Sequence, residues 1–414
     1  MMEEVKIEKL VHGGQGIGTL KDGRKVFVWG SLPSETVEVE LWRSKKNYAE
    51  GQAIKILTPS KDRIEPIEQS YLGTSPWQIL DFEAENRNKV AIIKEVFEHE
   101  SVSLPDFKIL SDGKQYGYRN KMEYSFWADD NGLHLALYNR GSHQKNVING
   151  SALALPKIDI AANEVLQELN KNKIEGRQLK TVVIRCTQSG GCVAALFVKD
   201  ENFPKIELPK SLSGLAIYYS NPKSPASVIT KLLHQTGSIS LEDKLLTTNL
   251  SYTVTGFFQV NIPVFRMTLK TINDNISSNM PIVDMYSGVG SIGLSVGQAA
   301  TTLVELDPSC VEMAKKNAGA KAIVVHASTE KALDYITNDA QIILDPPRAG
   351  LHADVCKRLL EVVPPKIIYL SCNPATQSRD IAILSQKYNI SYFEAYNYFP
   401  RTPHIETLAV LVLK

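Results

Sequence analysis

Short apolar runs in the last part of the chain limit the fold most strongly. Each is followed by a Gly/Pro turn or a helical stretch, and they are Ile282–Met285, Thr302–Glu305, Ala322–Val325, Gln341–Leu344 and Lys366–Leu370. Strands that alternate with helices form a parallel sheet with helices on both of its faces. We therefore predict an α/β fold with a Rossmann-like, doubly wound domain over residues 255–414, which binds ligands at the carboxyl ends of its strands.

Composition and charge are those of a soluble enzyme with more than one domain. The 414 residues include 46 basic and 45 acidic side chains, for a formal net charge of +1, and 43% are hydrophobic. These values argue against a disordered chain and against a uniformly basic nucleic-acid binder. No run approaches the roughly 18 apolar residues of a membrane helix, and acidic residues stand where a signal peptide is positively charged. We therefore expect a cytoplasmic protein.

Residues 1–58 are predicted to form a small β-barrel. Strands are expected at Val5–Leu10, Lys25–Trp29, Thr36–Trp42 and Gly51–Leu57, separated by glycine-containing turns. The barrel is either a β-module without a specific partner or an RNA-binding module. RNA binding is favoured by cations, which follow phosphates, beside aromatic rings, which stack on bases. These residues are Arg43, Lys45, Lys46, Trp42 and Tyr48.

Residues 59–254 mix helical and strand patterns and are predicted to form a central α+β domain. Apolar positions at helical spacing predict a helix over 83–99, which is a candidate to pack on the domain that follows. Strands are expected at Lys180–Cys186 and Cys192–Val198. The basic run from Gly117 to Lys121 is either a solvated edge or an RNA contact, with Arg119 and Lys121 as the candidate contacts.

The cysteines are dispersed singly along the chain, at Cys186, Cys192, Cys310, Cys356 and Cys372. None belongs to a Cys-x-x-Cys pair of the kind that often holds zinc or an iron–sulfur cluster. We therefore expect reduced thiols and no structural metal.

A glycine-rich loop follows the strand that ends at Met285. Its glycines let the backbone approach a ligand, and the next strand ends in Glu305, which can accept hydrogen bonds from ribose hydroxyls. The spacing of Gly288, Gly290 and Gly293 fits a nicotinamide dinucleotide. S-adenosylmethionine fits as well, because its cationic sulfonium favours a nearby acidic residue such as Asp284. A glycine turn without a ligand is the remaining interpretation.

Three further segments carry residues with useful chemistry. The fourth strand ends in Asp345, and the two prolines that follow it fix the chain as it leaves the sheet. The fifth strand brings Cys372 to the same predicted edge, where a cleft is expected. Near the carboxyl terminus, His404 and Glu406 alternate on one face of an extended segment, so both can point towards one site.

Together these segments resemble the RNA (uracil-5-)-methyltransferase family. The resemblance rests on residues 284–293 with Glu305, on residues 345–348 and 371–374, and on Phe399-Pro400-x-Thr402-x-His404-x-Glu406. The first 58 residues resemble the TRAM domain that many members carry. The run from Gly117 to Lys121 and the segment Gly256-Phe257-Phe258-Gln259-Val260-Asn261 are similar to motifs of the family's central domain and domain junction. The likeness covers nearly the whole chain.

The resemblance implies an S-adenosylmethionine-dependent enzyme that makes 5-methyluridine in structured RNA through a covalent intermediate. Carbon 5 of uracil is a weak nucleophile, so a thiolate first adds to carbon 6 and raises the electron density at carbon 5. Cys372 is the expected nucleophile, and Glu406 is the expected base that removes the hydrogen from carbon 5. His404 is a candidate substrate contact whose role we leave open.

The resemblance also implies a set of binding residues. Cofactor contacts are expected at Gln259, Tyr286, Ser291, Glu305 and Asp345. Phe257 and Phe258 are candidates to stack on a base splayed out of the RNA.

The sequence departs from the family pattern at two places. Residues 69–78, the stretch that corresponds to an iron–sulfur site in many relatives, contain no cysteine, so we expect no cluster, and Ser291 replaces a common asparagine.

The expected substrate is 23S ribosomal RNA, because bacterial relatives with a TRAM domain act on it, and the T-loop uridine of transfer RNA is the alternative. We expect a monomer that uses no metal. A nicotinamide oxidoreductase and a non-catalytic RNA-binding protein are the competing interpretations. The presence of Cys372 and Glu406 in their motifs argues against the second of these.

Overall fold

A computed structural model describes residues 2–138, 140, 144–297 and 300–414. The chain forms two compact units. The first contains Met1–Gln115, Pro346–Leu360 and Tyr369–Lys414, and the second contains Tyr116–Asp345 and Glu361–Ile368. Within the described ranges, no helix is long and apolar enough to cross a membrane.

The first unit begins with a β-barrel. Its strands are β1 (Met2–Leu10), β2 (Gly16–Thr19), β3 (Lys25–Trp29), β4 (Thr36–Ser44) and β5 (Tyr48–Thr58). They close in the order β1-β2-β3-β5-β4, which leaves no open sheet edge. Alternating residues such as Val26 and Val28 fill the interior. The barrel predicted from the sequence is confirmed.

Helical elements follow the barrel in the same unit. They are α1 (Tyr71–Thr74) and α2 (Phe82–His99), after which comes the short strand β6 (Ile109–Leu110). The helix α2 is the one predicted over 83–99. Its N-terminus is capped by Asp81, which accepts hydrogen bonds from the backbone N–H groups of two first-turn residues. Its buried face also carries the charged residues Glu85 and Lys89.

The second unit opens with a mixed sheet covered by a helix. Its elements are β7 (Lys121–Asp129), β8 (Gly132–Tyr138), β9 (Lys145–Val147), α3 (Pro156–Lys171), β10 (Leu179–Cys186), β11 (Cys192–Val198), β12 (Gly214–Tyr219) and β13 (Lys231–Gly237). The strand order is β13-β12-β11-β10-β7-β8-β9. Residues of α3 such as Val165 and Leu169 pack into the apolar core on this sheet.

One expectation about the cysteines is wrong in this sheet. The antiparallel pairing of β10 with β11 places Cys186 directly opposite Cys192, and the structure joins them in a disulfide. Reduced thiols were expected because the sequence shows no Cys-x-x-Cys pair, but the hairpin brings the two residues together across strands. Cys310, Cys356 and Cys372 keep their thiol groups.

A parallel sheet completes the second unit. It is preceded by a separate two-stranded sheet of β14 (Ser240–Leu245) and β15 (Thr248–Thr253) and by α4 (Ile262–Asn275). Its strands in this unit are β16 (Ile282–Met285), β17 (Thr301–Glu305), β18 (Ala322–His326) and β19 (Gln341–Leu344), and α5 (Pro308–Ala318) lies between β17 and β18 in the chain. The order β18-β17-β16-β19 is parallel throughout. The strand order reverses at β16, so the carboxyl ends of β16 and β19 form the crevice where such sheets bind ligands. The doubly wound prediction is confirmed.

The remaining elements are α6 (Ala353–Val362), β20 (Lys366–Ser371), α7 (Pro374–Leu384), β21 (Tyr388–Tyr396) and β22 (Glu406–Leu413). In the first unit, β21 pairs antiparallel with β22 and parallel with β6. The helix α2 packs against α7. Tyr396, the last residue of β21, lies opposite Glu406, the first residue of β22, so residues 397–405 form the loop between them.

Candidate active site

The carboxyl ends of β16, β17 and β19 form what we call the cofactor edge, consisting of residues 284–293, Glu305 and Asp345. Glu305 fixes the glycine loop here, because its Oε2 accepts a hydrogen bond of 2.8 Å from the backbone N–H of Gly288. Tyr286, at the start of this loop, has a φ of +65°, and Ser291 within it is buried. The structure therefore gathers four predicted cofactor residues, Tyr286, Ser291, Glu305 and Asp345, at one edge of the second unit.

Asp284 is the most perturbed carboxyl group of the cofactor edge. It is fully buried, and its Oδ2 accepts a 2.8 Å hydrogen bond from the backbone N–H of Gly293. Its Oδ1 has no hydrogen-bond partner within the described parts of the chain. Burial raises the pKa of Asp284 to about 8, and the nearby carboxylates of Asp345 and Glu305 add to the rise. Burial also raises the pKa of Asp345 to about 7.

These carboxyl groups fit S-adenosylmethionine. A buried acidic oxygen without a partner is costly unless a donor or cation reaches it, and this cofactor carries a sulfonium and an ammonium group. The Oγ of Ser287, also buried, has no partner among the described residues and offers a further contact. Asp284 was noted in the sequence as favouring a cationic ligand, and its burial now supports that interpretation.

Arg185 in β10, which was not among the predicted site residues, holds the segment that leads to Gln259. The guanidinium is buried and donates hydrogen bonds of 2.6 Å to the carbonyl oxygens of Gly256 and Phe258, and one of 3.2 Å to that of Thr253. An arginine directly after the apolar run Val182–Ile184, inside the predicted strand, was the available signal. Burial lowers the pKa of Arg185 to about 10, which leaves it protonated at neutral pH.

The basic run at the start of β7 supports the same segment. Asn120 is fully buried, and its Nδ2 donates to the carbonyl oxygen of Gln259 at 3.1 Å, while its backbone N–H donates to that of Val260 at 3.0 Å. Arg119 and Lys121, the predicted RNA contacts, are half-buried. Burial lowers the pKa of Lys121 to about 8. Part of the run therefore positions the Gln259 backbone.

The two adjacent phenylalanines differ sharply in exposure. Phe257 is 62% exposed and lies beside the loop at Gly288, so its ring is available to a ligand. Phe258 is buried, with its ring stacked on that of Tyr252 at 4.0 Å between centroids. The expectation that Phe258 stacks on an RNA base is therefore wrong, because its ring face is already covered in the core.

Cys372 lies in the first unit between β20 and α7 and is half-buried. The residue after it, Asn373, caps α7 by accepting a hydrogen bond from the backbone N–H of Ala375, and its Nδ2 donates to the carbonyl oxygen of Arg348 at 2.9 Å. The thiol thus stands just before a helix N-terminus, whose partial positive charge favours an anion. In α6, burial raises the pKa of the Cys356 thiol to about 12.

Glu406 begins β22 and is only 3% exposed. The Oγ1 of its neighbour Thr407 lies 2.8 Å from Oε1 of Gln377 and 3.3 Å from the carbonyl oxygen of Ser371, and its one proton is shared between these acceptors. Since Ser371 precedes Cys372, this contact joins the backbone beside the predicted nucleophile to the backbone beside the predicted base. His404 is half-buried and its ring packs edge-on against Phe399 at 5.6 Å. Within the parts of the chain that the structure covers, no group of three or more His, Cys, Asp or Glu residues is arranged to hold a metal ion.

Comparison with known proteins identifies related sequences along the whole chain. The family model for tRNA (uracil-5-)-methyltransferases matches residues 81–414, and the model for the TRAM domain matches residues 2–54. An uncharacterized RNA methyltransferase of Fusobacterium nucleatum is 29% identical, over 99% of this chain and 96% of its own length. One of Thermotoga maritima is 28% identical, over 100% of this chain and 99% of its own length.

A solved structure shares the fold. The crystal structure of Pyrococcus abyssi tRNA (uracil-54, C5)-methyltransferase in complex with S-adenosyl-L-homocysteine superposes with a TM-score of 0.82. The two proteins are 23% identical, and the match covers 99% of this chain and 100% of the other. The fold of this chain has therefore already been seen in another protein.

Proposed function

Because this chain belongs to the tRNA (uracil-5-)-methyltransferase family and is an S-adenosylmethionine-dependent RNA methyltransferase, we propose that it methylates carbon 5 of a uridine through a covalent Cys372–uracil intermediate. The observation that carries this proposal is the 3.3 Å contact between Thr407 Oγ1 and the carbonyl oxygen of Ser371, which brings together the residue after Glu406 and the residue before Cys372. A thiol and a carboxylate on these two backbone segments would supply the nucleophile and the base that the reaction requires.

The cofactor edge would hold S-adenosylmethionine, which when bound supplies a methyl group on a positively charged sulfur. The carboxyl groups of Asp284 and Asp345 would face its cationic groups, and Glu305 would accept hydrogen bonds from its ribose. Tyr286, Ser291 and Gln259 are the remaining proposed contacts. Exposed Phe257, beside the glycine loop, is the proposed stacking partner of the target base.

The catalytic residues act on the uracil ring. The Cys372 thiolate forms an S–C6 bond, and the electron pair of the C5=C6 double bond shifts towards carbon 5, which is the atom that is methylated. The Glu406 carboxylate then takes the proton from carbon 5. The C–H electron pair restores the C5=C6 double bond, the S–C6 bond breaks, and the thiolate is regenerated. His404 is proposed to contact the substrate.

For the substrate we propose 23S ribosomal RNA. This preference rests on the family resemblance, in which bacterial members with a TRAM domain act on that RNA, and the bacterial RNA methyltransferases similar to this chain match it over its full length, barrel included. The T-loop uridine of transfer RNA is the second candidate, and the substrate named for the Pyrococcus abyssi enzyme favours it. We propose that residues 1–58 and 59–254 bind RNA and that residues 255–414 carry out the transfer, in a cytoplasmic monomer. Arg119 and Lys121 are proposed RNA contacts.

Labelled methyl transfer to each purified RNA tests this proposal. The wild-type protein is expected to label one RNA class, and RNA containing 5-fluorouridine is expected to trap a covalent adduct, because fluorine cannot leave as a proton does. The variant Cys372→Ala should lose both labelling and adduct, whereas the matched control Cys356→Ala, at a buried cysteine of α6, should keep both. Methyl transfer by Cys372→Ala at the wild-type rate would refute the covalent mechanism.

A further inference from the structure

The loop between β21 and β22, residues 397–405, is held by buried polar side chains of α2; we call it the base loop because it leads into Glu406. The ammonium group of Lys89 donates hydrogen bonds to Asn397 Oδ1 at 2.7 Å and to the carbonyl oxygen of Phe399 at 3.2 Å. The Nδ2 of Asn397 in turn donates to Glu85 Oε1 at 2.9 Å. Both α2 and the base loop lie in the first unit.

Glu85 also fixes a strained residue in the base loop. Arg401 has a φ of +66°, a backbone conformation that residues other than glycine rarely adopt. Its backbone N–H donates to Glu85 Oε2 at 3.0 Å, and its guanidinium donates to the carbonyl oxygen of Leu80 and to the side chain of Gln115. The base loop is therefore attached at residues 397, 399 and 401.

Hydrogen bonds within the base loop connect these attached residues to the segment just before Glu406. Thr402 donates from Oγ1 to the carbonyl oxygen of Phe399 at 2.7 Å, and the backbone N–H of His404 donates to that Oγ1 at 3.3 Å. Two residues later Glu406 enters β22, opposite Tyr396. A shift of the base loop would therefore displace the strand end that bears the carboxylate.

Stability alone gives little reason for this arrangement. Lys89 and Glu85 form a 2.8 Å ion pair, and both side chains are completely shielded from solvent. Removing two charges from water costs about as much as their attraction returns, and apolar residues of similar size are often at least as stable. What a hydrogen-bonded ion pair adds is a fixed geometry, here at four atoms of the base loop, which belong to residues 397, 399 and 401.

We propose that Glu85 and Lys89 are positioning residues for the deprotonation of carbon 5, a role that rests on the proposed function of Glu406. They hold the base loop so that the Glu406 carboxylate reaches the C5 proton of the methylated adduct. The proton moves to Glu406, its C–H electron pair re-forms the C5=C6 double bond, and the Cys372 thiolate leaves from carbon 6. Addition of Cys372 and methylation at carbon 5 do not require this carboxylate.

The double variant Lys89→Met/Glu85→Gln tests the proposal in the full chain. It removes both charges together, and glutamine keeps an acceptor for the N–H of Arg401. With RNA carrying tritium at carbon 5 of uridine, single-turnover experiments measure methyl incorporation, tritium release and the covalent protein–RNA band. The matched control is Lys171→Met/Glu168→Gln, an ion pair at the surface of α3. Circular dichroism verifies folding, and Asn397→Ser decides by the same rates if the double variant does not fold.

We expect tritium release to fall about 10- to 100-fold while methyl incorporation stays within about twofold of wild type, so that methylated adduct accumulates. The control should match wild type. Unchanged release in a folded variant, or an equal fall in both rates, would overturn the positioning role. The variant Glu406→Gln distinguishes failure of the positioning role from failure of the proposed base. If this variant releases tritium at the wild-type rate, the base assignment itself fails, whatever Lys89 does.

Discussion

Replacing Asp284 by asparagine should stabilise the free protein while weakening cofactor binding. Asp284 is buried with one oxygen bonded to the Gly293 N–H and the other without a partner among the described residues. Asparagine has nearly the same shape as the protonated acid and keeps an acceptor for that N–H. It cannot ionise, so Asp284→Asn removes the carboxylate that we propose to face the cationic cofactor.

The size of the gain follows from the pKa of Asp284, which burial raises from an ordinary 3.8 to about 8. A carboxyl group whose pKa is raised on folding favours the folded state below the unfolded pKa, and this stability is lost as the pH rises through the folded value. At about 1.4 kcal/mol per pKa unit, the free energy of unfolding lost by wild type is about 2 kcal/mol at pH 5 and about 4 kcal/mol at pH 7. Asp284→Asn retains that stability.

Urea unfolding of both proteins at pH 5 and pH 7, without cofactor, measures this difference. The stabilisation by Asp284→Asn should grow with pH, and Asp339→Asn, at an exposed aspartate, should stay within about 0.5 kcal/mol of wild type at both values. Calorimetric titration with S-adenosylmethionine should show weaker binding by Asp284→Asn. A variant no more stable than wild type at pH 7, or a gain independent of pH, would refute the reasoning.

Two further results are expected. The carboxyl groups of Asp284 and Asp345, with pKa values of about 8 and about 7, must ionise to attract a cation. The affinity for S-adenosylmethionine should therefore rise from pH 6 to pH 8. An affinity that does not change with pH in calorimetric titrations would contradict their role. Arg185→Lys should lower the free energy of unfolding by about 2–4 kcal/mol and weaken cofactor binding, because one ammonium group cannot replace the short hydrogen bonds to the carbonyl oxygens of Gly256 and Phe258. A urea midpoint equal to that of wild type would show that residues 256–258 do not need this support.

The strands of the parallel sheet could be read from the sequence with little error. Ile282–Met285 and Gln341–Leu344 begin and end where they were predicted, because short apolar runs bounded by polar or proline residues have few other structures open to them. The start of helix α2 was predicted to within one residue, because its apolar residues recur at helical spacing. The local sequence pattern was therefore sufficient to predict where these strands and this helix begin and end.

Features that depend on which strands or helices meet could not be read in this way. A glutamate and a lysine four residues apart are typical of an exposed helix face, so nothing local reveals that Glu85 and Lys89 are buried. The burial of Phe258 depends on Tyr252, and the Cys186–Cys192 disulfide depends on the register of β10 and β11. Such contacts are set by long-range pairing.

The attachment of the base loop to α2 has consequences for synthesis of the chain and for truncated fragments of it. Lys89 and Asn397 are 308 positions apart, so the support for Glu406 is complete only after residues 397–401 have been synthesised. A fragment beginning at residue 255 would contain every motif of the transferase half and yet expose the underside of that loop to water. Anyone trimming this protein to a minimal catalyst should keep residues 82–99 in the fragment.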